Sequence, residues 1–198
     1  MKQTTIYLLR HGAYENPKRF NPGRLPGFPL SMQGKQQVSD LVKLLAQKNI
    51  SAVFSSPITR TLETAQIIAN ALRLPVVTDD RLLEVKSPFN GVPVEDVNTL
   101  AFAGKLYVKK YFDQGLERIP EFFQRMDNCL KDIVRSHKGK QAVVVSHGDP
   151  MMSVWFRYRG FPGLKGFALG NWYVPMGTGF QIVFDTEGKP VHISKFPT

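Results

Sequence analysis

A three-layer α/β/α sandwich with a mostly parallel central sheet is the fold class this sequence predicts, and three observations predict it. Two short apolar runs, Thr5–Leu9 and Gln141–Val145, lack the polar alternation of a half-exposed strand and read as strands buried on both faces. Segments with apolar residues at helical spacing separate the strand-like runs, which is the pattern of a sheet covered by helices. Both apolar runs also deliver a histidine followed by glycine, Arg10-His11-Gly12 and Ser146-His147-Gly148. Ligands of open α/β sheets gather beyond the carboxyl ends of parallel strands, so both histidines stand where chemistry is expected.

The chain has 198 residues, 42% of them hydrophobic, enough for one well-buried core, and no polar linker divides it. We therefore expect a single domain over 1–198. No apolar run approaches the length that spans a membrane, and Arg10 interrupts the N-terminus before a signal-peptide core could form. The lone cysteine, Cys129, has no disulfide partner and falls on an apolar helical stripe. These features point to a cytoplasmic protein without a membrane partner. The 26 Lys plus Arg against 16 Asp plus Glu, a formal +10, favour anions. A basic solvated surface and the steering of phosphorylated substrates both fit that charge. Nucleic acid is not expected as a partner, because the basic residues come in twos and threes without interleaved aromatics.

The elements follow in order. After the first strand, Asn16-Pro17 through Gly27 is too rich in proline, glycine and asparagine for helix or central strand, and is expected to lie over the site. Ser31 can cap a helix with Val38, Leu41, Val42 and Leu45 on one face, ending near Asn49. Ala52–Phe54 is a second strand. Ser56-Pro57 then reads as a helix start, Ser56 as N-cap and Pro57 at the first helical position. Arg60 falls in that first turn, where the helix dipole disfavours a cation, so an anion should compensate it. Glu63 or a bound phosphate would serve.

Pro75–Thr78 is a third strand, followed by Arg81-Leu82-Leu83-Glu84, a loop broken by Pro88, Gly91 and Pro93, and helical spacing from Val94 to Phe112. Residues 85–118 are expected to form a cap. A helix from about Pro120 to Ser136 is expected to bury Phe122, Phe123, Met126, Cys129, Leu130 and Ile133, and His137 at its end is expected to be exposed and without a chemical role. Asp149-Pro150 opens a helix from Met151 to Arg159. Gly179–Phe184 and Val191–Phe196 form a hairpin near a sheet edge, with His192 structural.

Together, Leu9-Arg10-His11-Gly12, Ser55-Ser56-Pro57-Ile58-Thr59-Arg60-Thr61-Leu62-Glu63-Thr64-Ala65, Arg81-Leu82-Leu83-Glu84 and Val144-Val145-Ser146-His147-Gly148 resemble the histidine phosphatase superfamily, the phosphoglycerate mutase-like group, over about residues 4–160. The resemblance implies that His11 is the phosphorylated nucleophile, that Arg10, Arg60 and His147 hold the phosphoryl oxygens, and that Glu84 is the proton donor. It implies no cofactor and no metal, since arginines supply the charge a dication would otherwise bring. The residue types suit such a reaction: a neutral imidazole attacks phosphorus, guanidinium forks neutralise the equatorial oxygens, and a carboxylic acid protonates the leaving oxygen.

The sequence departs from the family's pattern at Ala13-Tyr14, at Gly23-Arg24-Leu25-Pro26-Gly27, at Asp149 and at Val85-Lys86-Ser87-Pro88. Asn16, Arg24 and Gly148 are possible substrate contacts. The activity expected is hydrolysis of a small phosphorylated metabolite by a phosphatase of this superfamily. A phosphoglycerate mutase, a non-catalytic phospholigand-binding module and a metal hydrolase built on His11, His147, Asp149 and Asp80 are the alternatives.

Overall fold

The computed structural model describes residues 2–161 and 173–197. Six strands form one sheet in the order β3-β2-β4-β1-β5-β6, where β1 is Thr4–Arg10, β2 Ile50–Ser55, β3 Val76–Thr78, β4 Gln141–Ser146, β5 Gly179–Phe184 and β6 Pro190–Phe196. Strands β3, β2, β4 and β1 run parallel, and β5 and β6 add an antiparallel hairpin at the edge. Among the described residues the helices are α1 (Met32–Leu45), α2 (Thr59–Leu72), α3 (Val94–Phe102), α4 (Lys109–Phe112), α5 (Ile119–Ser136) and α6 (Gly148–Tyr158), with a 3₁₀ turn at Asp80–Leu82.

Alternation along the two central strands builds the layers. Tyr7, Leu9, Val143 and Val145 pack on one face with Val38, Leu41 and Leu45 of α1 and Ala65, Ile68 and Ala69 of α2. Ile6, Leu8, Ala142 and Val144 pack on the other with Phe122, Met126 and Leu130 of α5 and Met151, Met152 and Trp155 of α6. Successive side chains of a strand point to opposite faces, so two helical layers require apolar residues at every position; that is why neither strand alternates with polar residues. Cys129 is buried and free.

Four local expectations are corrected. Ser56 does not cap α2: its amide still donates to the Val145 carbonyl at 3.0 Å, so the chain stays extended through Ile58 and the helix starts at Thr59. The helical spacing from Val94 to Phe112 is two helices, because Ala103-Gly104 ends α3 with Gly104 at φ +66°. His137 is half-buried, its ring edge-on to Phe54 with centroids 5.6 Å apart. Ser31 does cap α1, accepting from the Gly34 amide at 3.1 Å, but α1 stops at Leu45 rather than near Asn49. Among the described residues no helix is long and apolar enough to cross a membrane.

Candidate active site

Strand register places the two histidines side by side. Arg10 of β1 pairs with Ser146 of β4, so the next residues, His11 and His147, leave adjacent strands together. The His11 amide donates to the Ser146 carbonyl at 3.2 Å, and the imidazole centroids are 5.4 Å apart. The chain passes from β1 to α1 on one face and from β4 to α6 on the other, which opens a crevice between them.

Arg60, only 1% exposed, lies between the imidazoles. Its Nε donates to His11 Nε2 at 3.1 Å, and its Nη2 lies 3.0 Å from His147 Nδ1 and donates to the Gly23 carbonyl at 2.9 Å. A guanidinium only donates, so these contacts make His11 Nε2 and His147 Nδ1 acceptors. The opposite nitrogens then carry the protons. His11 Nδ1 donates to the Gly12 carbonyl at 2.9 Å, and His147 Nε2 to Ser56 Oγ at 2.9 Å. Burial, then the charges of Arg60 and Arg10, hold His11 well below the usual imidazole range. Burial and Arg60 do the same to His147. Both rings are therefore neutral at pH 7, and His11 presents a lone pair on Nε2.

Among the described residues nothing satisfies one donor on each of the two arginines. Arg10 Nη1 donates to the Val174 carbonyl at 2.8 Å, yet its Nε is buried without a partner, as is Arg60 Nη1. Each such donor carries a desolvation cost of roughly 1–3 kcal/mol, more for a charged group. Glu63 does not relieve it; its carboxylate accepts from the Leu30 amide at 2.7 Å instead. An anion is what this pair of donors lacks.

Glu84 enters the same cavity from the chain after the 3₁₀ turn. Its Oε1 accepts from the Val85 amide at 2.8 Å and its Oε2 is 3.9 Å from His147 Nδ1. Burial above all, with Asp149 adding to it, pushes the Glu84 carboxyl up to about 7 against the pull of Arg60 and Arg10. Asp149 itself is held by two phenols at 2.5 Å, Tyr107 to Oδ2 and Tyr173 to Oδ1.

None of the three possible substrate contacts lines the cavity. Asn16 folds onto its own loop, donating to and accepting from the Phe20 backbone, and does not line the cavity. Arg24 faces a separate surface groove with Asp80; its Nε donates to the Glu84 carbonyl at 2.6 Å and its Nη2 meets Glu117. Arg125 reaches the same Glu84 carbonyl at 3.2 Å, so the two cations brace the segment that carries the acid. Gly148 sits beneath Tyr173, where a Cβ would come 2.1 Å from the phenol oxygen. The loop expected over the site does reach it, through Asn21, Pro22 and Gly23. Asp80 is not with the histidines, and among the described residues no three His, Cys, Asp or Glu could hold a metal ion.

Sequence reasoning missed several supports. At Gly12 α1 takes the space beside the backbone: a Cβ there would come 2.7 Å from the Gly34 carbonyl oxygen. The Gly12 amide is satisfied by Thr64 Oγ1 at 3.1 Å. Thr64 lies four residues after Arg60, so helical spacing could have placed it on the same face. Tyr14 packs edge-on to His11 and beneath the Arg60 guanidinium, and Tyr173 similarly under Arg10. No local pattern marks either one.

Comparison with known proteins agrees with this geometry. The family model for the histidine phosphatase superfamily, branch 1, matches residues 6–172. Phosphoserine phosphatase 1 of Hydrogenobacter thermophilus is 30% identical over 174 residues, covering 83% of this chain and 81% of that protein. A probable phosphoglycerate mutase, GpmB of Proteus mirabilis, is 30% identical over 152 residues, covering 72% and 69%. The solved structure of Bacillus stearothermophilus YhfR superposes with a TM-score of 0.80 at 27% identity, covering 96% of this chain and 95% of that one. On its sequence and its fold alike, this chain belongs to the histidine phosphatase superfamily, branch 1.

Proposed function

We propose that the protein is a metal-independent phosphomonoester hydrolase acting on a small phosphorylated metabolite through a phosphohistidine at His11. The observation that carries this reading is the pair of buried, unpartnered guanidinium donors on Arg10 and Arg60 beside the acceptor nitrogen of a neutral imidazole. Phosphatase-named relatives support it.

The steps follow from the contacts. A phosphoryl oxygen takes over the Arg60 donor that covers His11 Nε2, and Arg10 Nε and Arg60 Nη1 gain the acceptor they lack. The freed lone pair attacks phosphorus while the bond to the alcohol oxygen breaks, its electron pair leaving with that oxygen. Glu84, whose carboxyl is pushed up to about 7, gives its proton to the departing alkoxide. Water then attacks the phosphohistidine, Glu84 takes the water's proton, and phosphate and neutral His11 are restored. The Gly12 carbonyl holds the tautomer that leaves the His11 Nε2 lone pair for phosphorus, and Ser56 holds the tautomer in which His147 Nδ1 accepts from Arg60.

Phosphate release from p-nitrophenyl phosphate in excess chelator tests the reading. Full activity in the parent and none above background in His11→Ala is expected. Activity that the chelator abolishes and a divalent metal restores would contradict it.

A further inference from the structure

The cavity that holds His11, Arg10 and Arg60, about 360 Å³ in volume, continues away from them toward residues 85–116. There Val85, Phe89, Ala101 and Leu106 line it, with the polar Ser87 and Asn98 among them. Phe89, Ala101 and Leu106 are each less than a tenth exposed and pack on one another, so the wall is a small core in its own right. Its charged lining is one-sided. Arg10 and Arg60 lie at the histidines, while the other charged residues are the acids Glu84 and Asp149. Among the described residues that line the cavity there is no lysine and no third arginine.

Asp149 is fixed in place by the phenols of Tyr107 and Tyr173, one on each oxygen. Burial and Asp149 itself keep both phenols protonated well past their usual range, so they donate and Asp149 stays the acceptor. We propose that this pocket selects phosphomonoesters whose alcohol part is uncharged and apolar, and rejects those whose alcohol part carries a carboxylate, with Asp149 and the apolar wall as the selecting elements. The proposal rests on the phosphatase reading for its turnover and on the cavity lining for its selectivity. A substrate carboxylate placed beyond the phosphate would lose water against Phe89 and Leu106, meet the like charge of Asp149, and find among the described lining residues no cation besides the two arginines that hold the phosphate. An aromatic or aliphatic group in the same place buries its surface and leaves Asp149 with the partners it already has.

Rigid ligand pairs test binding apart from chemistry. Calorimetric titration of the intact protein should show benzylphosphonate binding about ten-fold or more tightly than 4-(phosphonomethyl)benzoate, whose ring holds a carboxylate at a fixed depth. The kcat/KM values of benzyl phosphate and 4-carboxybenzyl phosphate should follow the same order. Asn98→Lys, a change at an exposed position of α3 that lines the cavity, should tighten the carboxylated ligand several-fold and leave the other nearly unchanged. Equal or tighter binding of the carboxylated phosphonate overturns the inference, whatever the turnover, and so does a gap that Asn98→Lys leaves untouched. A preserved binding preference with no phosphate released from either ester supports the selectivity while refuting the phosphatase reading.

Discussion

Replacing Glu84 with glutamine removes the proton donor while keeping the shape of the side chain, and the environment of Glu84 sets how large the effect should be. Its carboxyl is pushed up to about 7, chiefly by burial and then by Asp149. At pH 7 about half of the enzyme carries the proton, and the protonated fraction falls about ten-fold for each pH unit above that. Loss of a positioned general acid costs roughly 10²- to 10⁴-fold in rate. In kcat/KM, which reports the steps up to departure of the alcohol and not the later water attack in which Glu84 is the base, the full loss is expected for an alkyl phosphate, because its alkoxide cannot leave unprotonated; for p-nitrophenyl phosphate the loss should be small. Steady-state kinetics of Glu84→Gln on both esters, from pH 5 to 9, reads the ratio of the two losses. In the parent the alkyl ester should lose activity as pH rises past 7 and the aryl ester should not.

Stability supplies a second readout with a definite sign. A carboxyl whose folded value lies above its unfolded one stabilises the fold below the unfolded value, and that advantage is lost as pH rises through the folded value. From the ordinary 4.5 to about 7, the folded chain loses about 3 kcal/mol relative to a neutral side chain. Glu84→Gln should therefore raise Tm by several degrees at pH 8 and much less at pH 5. Equal kinetic losses on the two esters would refute the acid role, and a Tm lowered equally at both pH values would refute the electrostatic reasoning behind it.

Other changes should behave as follows. Arg60→Ala should cut kcat/KM by roughly 10²-fold or more and weaken vanadate inhibition in parallel, since it removes a phosphate donor and the bonds to both imidazoles; an unchanged vanadate inhibition constant would count against it. Because Arg60 is 1% exposed, circular dichroism should also show a lowered Tm for that variant. Gly34→Ala should destabilise the fold strongly, because its Cβ would lie 1.8 Å from the Ala13 carbonyl oxygen and must push α1 off the loop after His11; a chemical-denaturation midpoint equal to the parent's would contradict this. Arg24→Ala should leave vanadate affinity within about two-fold of the parent but lower kcat, as the brace on the Glu84 carbonyl is lost.

The sheet and its two histidines were legible because the information is local. Thr5–Leu9 and Gln141–Val145 must be apolar at every position to sit between two helical layers, and a strand that ends on histidine states where that histidine goes. Arg60 was legible as a cation misplaced in a first helical turn. Ser56 shows the limit: it has the chemistry of an N-cap, but its hydroxyl serves His147, 91 positions away, and its amide pairs with β4. Arg24 and Asn16 were misplaced for the same reason, since a proline- and glycine-rich loop fixes no direction for its side chains. The Asp149 clasp could not be read at all. It joins Tyr107 and Tyr173 to a residue 42 and 24 positions distant, and no period or motif connects them.

The central claim is that His11 carries the phosphoryl group and passes it to water. Rapid mixing with radiolabelled phosphomonoester, quenching in alkali, and peptide mapping test it most directly, because phosphohistidine survives base and is lost in acid. The account predicts label on His11 within the first turnover, none in His11→Ala, and rapid loss of label to phosphate with no added acceptor, as water reaches the open cavity. Absence of label in the parent, or label that persists for many minutes in buffer and discharges at once onto 3-phosphoglycerate, would contradict it; the latter result would make the protein a mutase.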